Sequence, residues 1–431
     1  MTVLIIGGGI GGLTTALSLH QIGVPCRVFE SVPKVQPLGV GINTLPHAVR
    51  ELTELGLQAA LAGTAISTTV LAYYSKRGQP IWSEPRGIAA GYDWPQFSIH
   101  RGALQMVLLE AVLERLGGDA VLTNHHLTDF EETAAGVRAR FMDKRDGAPL
   151  PVHEGSLLIA ADGVHSTVRA RLYPDEGPPI WNGAIMWRGV TRAGPVLDGR
   201  TMIMAGHEFQ KFVCYPISRE ALDRGAAVIN WIAERKFKPD AEWRREDWNR
   251  PGRREEFLPA FADWRFDWLD VPDIIRIAES CYEYPMVDRD PLPHWTQGRM
   301  TLLGDAAHPM YPIGSNGASQ AILDARVLAR EILVKGATTQ ALQAYEEERR
   351  PATSRIVLAN RGNGPETVMQ LVEQRAPAGY ARIEDVLSQA ELEEAAAGYK
   401  RLAGFDKEQL NNRPPIVPHG VQAPGVSNVT A

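Results

Sequence analysis

Cysteine is scarce: Cys26, Cys214 and Cys281 are the only three in 431 residues. They are too few and too scattered for a disulfide framework, and none sits in a C-x-x-C pair, so neither a disulfide scaffold nor a dithiol redox motif is expected. No uncharged apolar run approaches the ~18 residues a membrane-crossing helix needs. The first residues lack a basic segment and their apolar stretch is broken by glycines, so they do not read as a secretory signal. Basic charge is not in excess. Forty-five Lys and Arg against 51 Asp and Glu leave −6, which offers no electrostatic footprint for nucleic acid or an anionic membrane. The eleven histidines do not group at metal-ligand spacings; the adjacent pair His125-His126 cannot face one ion from one regular element. No metal site and no Ser/His/Asp triad is expected, and the chain reads as a cytoplasmic protein.

What is present is ordinary globular composition, 44% apolar against 22% charged, in a length that suggests two or three structural units. Val3-Leu4-Ile5-Ile6 is a short unbroken apolar run, as expected of a parallel strand buried on both faces. A glycine-rich turn follows, then a helical segment from Leu13 to Ile22 and a second strand, Cys26 to Glu30. Residues 101–116 read as helix, 157–160 as another buried strand, and 300–303 as a third, followed by a long helix from about 317 to 335. Between about 70 and 100, and again from 180 to 285, alternating and aromatic segments predict an antiparallel sheet. Seven tryptophans (Trp181, Trp187, Trp231, Trp243, Trp248, Trp264 and Trp268) fall in the second stretch.

The expected fold is therefore α/β. A Rossmann-like dinucleotide domain is assembled from the discontinuous segments 1–72, 98–178 and 285–365. A β-rich substrate domain comprises 73–97 and 179–284, C-terminal helices occupy 366–410, and a Pro- and Gly-rich tail runs from 411 to 431.

Gly7-x-Gly9-x-x-Gly12 follows a buried strand and opens a helix. The first glycine permits a tight turn, the second lets backbone approach a pyrophosphate, and the third lets helix and strand pack closely. Glu30 ends the next strand, eighteen residues past Gly12, near the spacing expected of a carboxylate that grips an adenosine ribose. Gly304-Asp305 follows a buried strand and precedes a glycine loop, Pro312 to Gly317, that opens the long helix. An aspartate there can accept from a ribityl hydroxyl, and the loop amides can face the pyrimidine edge of a flavin and stabilise negative charge on it. FAD is the expected cofactor.

These stretches, with Ala161-Asp162-Gly163-Val164-His165-Ser166-x-Val168-Arg169 between them and Gly304-Asp305-Ala306-Ala307-His308-Pro309 at the end, resemble in type and order the three motifs of the single-component FAD-dependent aromatic hydroxylases of the p-hydroxybenzoate hydroxylase fold. The segments 37–43, 98–102, 284–295 and 317–322 resemble the phenazine hydroxylases within that family. The resemblance implies that Ser31 accompanies Glu30 at the ribose, and that Val40 and Gly41 flank the cofactor. It places Arg101 by the pyrophosphate, Leu127 on the adenine side and Asp162 in a motif shared between FAD and nicotinamide. Asp305 falls on the ribityl chain, with Pro312, Gly314, Asn316, Gly317 and Ala318 along the isoalloxazine. His308 reads as a packing histidine rather than a base. NADH or NADPH is implied as co-substrate, visiting without a second fingerprint of its own; O2 is the other.

A flat aromatic substrate needs an apolar pocket with a few oriented polar groups. Trp187, Met204, Tyr215 and Met286 from the β-rich region, with Pro309 and Pro312 from the loop, are the candidates, and Arg188 is one residue that can meet a carboxylate. The implied reaction is hydroxylation of an aromatic, carboxylated or N-heterocyclic ring, with loss of CO2 where the attacked carbon carries a carboxylate. No nucleic acid or membrane is involved, and the chain is a monomer or weak homodimer. A non-hydroxylating oxidoreductase or epoxidase of the same fold, or a flavin-binding protein without turnover, remains open at this point.

Overall fold

The computed structural model describes residues 2–238, 250–362, 366–403 and 406–424. Trp243, Trp248 and the last seven residues of the expected tail lie outside them.

Val3–Ile6 is completely buried because it sits inside a six-stranded sheet. The order is Thr296–Gln297, Met300–Leu302, Leu158–Ala160, Val3–Ile6, Cys26–Phe29, Val121–Leu122. All neighbours are parallel except the edge pair 296–297 and 300–302. Helices Ile10–Gln21, Arg101–Leu116 and Gly317–Lys335 pack about it. Covering a parallel sheet on both faces is what makes its central strands apolar throughout. The three sequence-distant βα blocks thus meet in one sheet, and the ends of strands 3–6, 158–160 and 300–302 lie side by side.

The second large sheet has seven strands, ordered Cys281–Asp288, Ile180–Ala193, Ala227–Lys236, Gln210–Pro216, Thr201–His207, Val70–Tyr74, Pro80–Pro85. Its neighbours are antiparallel, as expected, except that 201–207 runs parallel to 70–74. The expected boundaries at 72/73 and 284/285 fall inside strands of this sheet. One face is closed by Phe257, Phe261 and Val271 over Trp187, Phe212, Cys214 and Trp231. The other carries Met202, Met204, Val213 and Tyr215, and helix Thr367–Arg375 packs part of that face through Val368, Met369 and Val372.

The segment expected as a tail packs in part. Ile416, Val417 and Ala423 join the core of the parallel-sheet domain, Ala423 N donates to Ile22 O at 3.0 Å, and Arg413 pairs with the buried Glu51 at 2.7 Å. Prolines break this stretch into bends and turns, so its few apolar residues show no helical or strand period. Among the described residues, no helix is long and apolar enough to cross a membrane.

Candidate active site

The turn after Val3–Ile6 is built as its glycines require. Gly7 has φ +103°, and a Cβ there would collide with the Ala161 carbonyl at the end of the neighbouring strand. A Cβ on Gly12 would strike Gly7 O, whereas one on Gly9 would meet nothing within 4 Å. Gly12 therefore lets the helix press onto the turn, and Gly9 leaves an open approach to the backbone. Helix Ile10–Gln21 starts without a side-chain cap, so its positive end is free for an anion. Glu30 reaches back under this turn. Its Oε2 accepts from Gly8 N at 2.8 Å, and its Oε1 accepts from Val32 N at 2.9 Å and Ser31 Oγ at 3.2 Å. Gln105 secures the other side, donating to Gly8 O at 2.7 Å.

A second turn, Gly304–Ala306, presents Asp305 outward, with no hydrogen-bond or ion-pair partner among the described residues. It is held from below. Asp324 Oδ2 accepts from Gly304 N at 3.1 Å and lies 2.6 Å from His308 Nε2, while its Oδ1 accepts from Arg349 Nε at 2.7 Å. Although burial alone would raise the Asp324 carboxyl, the charges and hydrogen bonds of His308 and Arg349 bring it below its ordinary value. From the other side Arg169, the last residue of the middle motif, donates from Nη1 to the carbonyls of Ala306 and Ala307, each at 3.0 Å, and is itself held by Glu176. His308 is thus committed to packing, as expected. The loop that follows turns left-handed at Gly314 and Ser315, φ +69° and +57°, and helix Gly317–Lys335 opens without a side-chain cap beside Asp305.

One cavity of about 590 Å³ joins both turns to the inner face of the seven-stranded sheet. Gly7, Gly9, Glu30, Ser31, Arg101, Leu127 and Asp162 line it at the fingerprint end. Asp305, Pro312, Asn316, Gly317 and Ala318 line it at the second turn, and Met204, Tyr215 and Met286 on the sheet. Arg101 has no carboxylate partner among the described residues, and a buried oxygen of Asp162, Oδ1, has no hydrogen bond. A free cation, an uncapped helix end, an open glycine and an unpaired carboxylate at Asp305 are what a pyrophosphate with polyol arms requires. The residues fit FAD.

Gly12, Val40, Gly41 and Gly314 do not line the cavity. Gly41 instead anchors the sheet to the dinucleotide domain: its N donates to Asn230 Oδ1 at 2.7 Å, and its carbonyl accepts from Arg188 Nη2 at 2.8 Å and Tyr215 O–H at 2.9 Å. Burial pushes the Tyr215 phenol up to about 12, so it stays a donor.

Two substrate candidates are corrected. Trp187 faces the opposite side of the sheet, where it stacks on Phe257 with ring centroids 4.7 Å apart. Alternation along Ile180–Ala193 gives the cavity its neighbours Met186 and Arg188 instead. Pro309 is buried beside His308, outside the lining. Residues not singled out from sequence also line the cavity: Met202, Ile232, and the charged group Lys211, Glu234 and Glu366. A lysine directly before the apolar run Phe212 to Tyr215 was the available signal.

Residues 1–360 match the family described as FAD binding domain. The chain belongs to that family. Within this FAD-binding family, it is 49% identical over 364 residues to phenazine 1,6-dicarboxylic acid hydroxylase of Lysobacter antibioticus, covering 83% of this chain and 89% of the relative. It is 34% identical to a 3-amino-4-hydroxybenzoate 2-monooxygenase of Streptomyces platensis, covering 95% and 98%. The solved structure of Klebsiella pneumoniae HpxO with FAD and uric acid shares its fold, with TM-score 0.68, 23% identity, and coverage of 96% and 95%.

Proposed function

We propose that this chain is an NAD(P)H- and O2-dependent monooxygenase that hydroxylates a flat, carboxylated N-heteroaromatic ring of the phenazine type on bound FAD. The observation that carries the reading is a cavity that runs from an FAD-shaped cradle to a sheet face rich in Met and aliphatic side chains, where Arg188 stands at the wall. Resemblance to the Lysobacter antibioticus phenazine hydroxylase supports the substrate class.

Bound FAD supplies the reducing and oxygen-transferring chemistry. The chain's own residues do the rest. Glu30 and Asp305 accept hydroxyls of the two sugar-like arms, and Arg101 meets the pyrophosphate. The uncapped start of helix Gly317–Lys335 sets backbone donors and a positive dipole where negative charge gathers on the reduced ring. Met186, Met204, Val213, Ile232 and Met286 cover the substrate faces and keep water out. Arg188 carries its guanidinium at the cavity wall, one Nη on Gly41 O and its buried Nε without a partner, and we assign it to the substrate carboxylate. Where that carboxylate is on the attacked carbon, CO2 leaves as the ring regains aromaticity.

The proposed oligomeric state is a monomer or weak homodimer. Unpaired thiols at Cys26, Cys214 and Cys281 suit the cytoplasm.

The test is NADH consumption by the FAD-loaded protein, with NADPH compared, against phenazine-1-carboxylate, phenazine-1,6-dicarboxylate, salicylate and hydroxybenzoates, with products weighed by mass spectrometry. Stimulated consumption and a phenazine product gaining one oxygen is the expected result. A flat background across the panel with flavin bound would return weight to a non-hydroxylating oxidoreductase.

A further inference from the structure

The inner face of the seven-stranded sheet is not uniformly apolar. Its register sets three rows across the strands. One contains Tyr215 opposite Asn230, the next Val213 opposite Ile232, and the last Lys211 opposite Glu234. Tyr215 and Lys211 are four positions apart on one strand, about 13 Å at the rise of an extended chain. The floor is therefore polar at one end and charged at the other; Arg188 rises from the middle row, opposite Ile232, and its guanidinium reaches the polar end, where it shares Gly41 O with the Tyr215 hydroxyl.

The charged end is unusual in composition. Lys211 lies 3.2 Å from Glu234 and also pairs with Glu366, which stands at the start of helix Thr367–Arg375. All three side chains are at most 9% exposed, and all three line the cavity. A buried ion pair closes on itself with one cation and one anion; here two carboxylates share a single ammonium. Two of the three Lys211 N–H groups are taken, while the carboxylates keep lone pairs to spare. Net negative charge inside a cavity is costly unless something neutralises it or donates to it. Burial and the nearby Glu366 charge raise the Glu234 carboxyl above its ordinary range, as that excess requires. Direct structural pinning of the helix would need only one of the two glutamates.

We propose that Lys211, Glu234 and Glu366 are specificity-determining residues that read the substituent at the far end of the substrate, selecting a hydrogen-bond donor or a cation there and rejecting a second carboxylate. This rests on the phenazine reading above, and it sets the chain apart in substituent preference from the Lysobacter antibioticus relative, whose name gives a 1,6-dicarboxylic acid as its substrate. The substrate then spans the middle row with its carboxylate toward Arg188 and an amino, hydroxyl or protonated ring nitrogen toward the two glutamates. A single ring with one substituent would leave the charged row uncovered. The C-terminal helices thereby contribute to substrate choice through Glu366.

The experiment titrates three probes into the FAD-loaded protein and follows the flavin absorbance: phenazine-1-carboxylate, 6-aminophenazine-1-carboxylate and phenazine-1,6-dicarboxylate. The wild-type protein is expected to bind the amino probe at least tenfold more tightly than the dicarboxylate. Glu234→Gln and Glu366→Gln keep shape and remove one charge each. In each variant that ratio should shrink by about tenfold, while the plain monocarboxylate changes less than threefold and bound FAD is retained. A purely structural role would weaken all three probes together. An unchanged ratio in both variants, or wild-type preference for the dicarboxylate, overturns the proposal. Failure of wild-type protein to bind any of the three overturns the phenazine reading and this inference with it, whereas equal binding of all three overturns this inference alone.

Discussion

His308 Nε2 lies 2.6 Å from Asp324 Oδ2 in the core beneath the turn that carries Asp305. That contact explains why a histidine four residues into a Gly-Asp motif faces away from the cavity: it is one of three donors, with Gly304 N and Arg349 Nε, converging on a single buried carboxylate. Position of the cavity-facing aspartate is thus set by a residue it never touches.

Asp324→Ala should strand the His308 and Arg349 donors in the core, at a cost of about 3–5 kcal/mol for breaking a buried ionic contact. The expected outcome is a lowered melting temperature together with a substoichiometric ratio of FAD to protein on purification. Asp324→Asn, which keeps an acceptor, should be milder. An Asp324→Ala protein that melts normally and purifies fully yellow would contradict this.

Glu30→Gln removes charge from the acceptor of Gly8 N and of the expected ribose hydroxyls. Charge-assisted hydrogen bonds are worth about 1.5–3 kcal/mol, so the FAD dissociation constant should rise by about 10- to 100-fold while the melting temperature of the FAD-free protein moves little. Fluorescence titration of the apoprotein reads this directly; an unchanged curve would remove Glu30 from the ribose site.

His47 sits fully buried against the Asn316–Gln320 segment. Burial first, then the charges of Arg413 and Arg349, push its imidazole down to about 3. The unfolded chain titrates near 6.5, so between those values it binds a proton that the folded chain refuses. Stability should therefore fall as pH drops from 6.5 towards 3, by up to about 1.4 kcal/mol per pH unit from this residue. Denaturant unfolding at pH 7 and pH 5 should show a smaller pH difference for His47→Gln than for the wild type. Equal differences would mean that His47 titrates alike in both states.

Trp187 and Arg188 are chain neighbours on opposite faces of one strand, and their variants should separate. Trp187→Phe should lower stability, by the ~1–3 kcal/mol of lost core packing, and leave KM for the substrate unaltered. Arg188→Ala should raise KM for a carboxylated ring by at least tenfold, with little effect on an uncarboxylated analogue. Steady-state kinetics on both variants, with melting curves, checks the pair; a KM effect from Trp187→Phe alone would reverse the assignment of faces.

Local chemistry made much of this site legible in sequence. Gly7, Gly12 and Glu30 are tied by the geometry of one strand–turn–helix, so their spacing carries the information, and Asp305 is marked by the strand before it and the glycine loop after it. What depends on which way a strand faces was less accessible. In Ile180–Ala193 both faces are rich in large side chains, one closed by Phe257 and the other open to the cavity, so composition does not tell Trp187 from Met186. Long-range partners were silent altogether. Asp324 and Arg349 look like ordinary helix residues until the chain brings both beneath Gly304, and Glu366 reaches Lys211 across 155 positions of sequence. Ile416 and Val417 were hidden by the prolines around them.

The most direct test of the account is a reaction under oxygen-18 gas, with FAD-loaded protein, NADH and phenazine-1-carboxylate, and the product read by mass spectrometry. The expected product is a hydroxylated ring that carries one labelled oxygen from the gas, formed in proportion to NADH consumed. NADH consumption that yields only labelled hydrogen peroxide and an unchanged ring, across the phenazine probes, would contradict it.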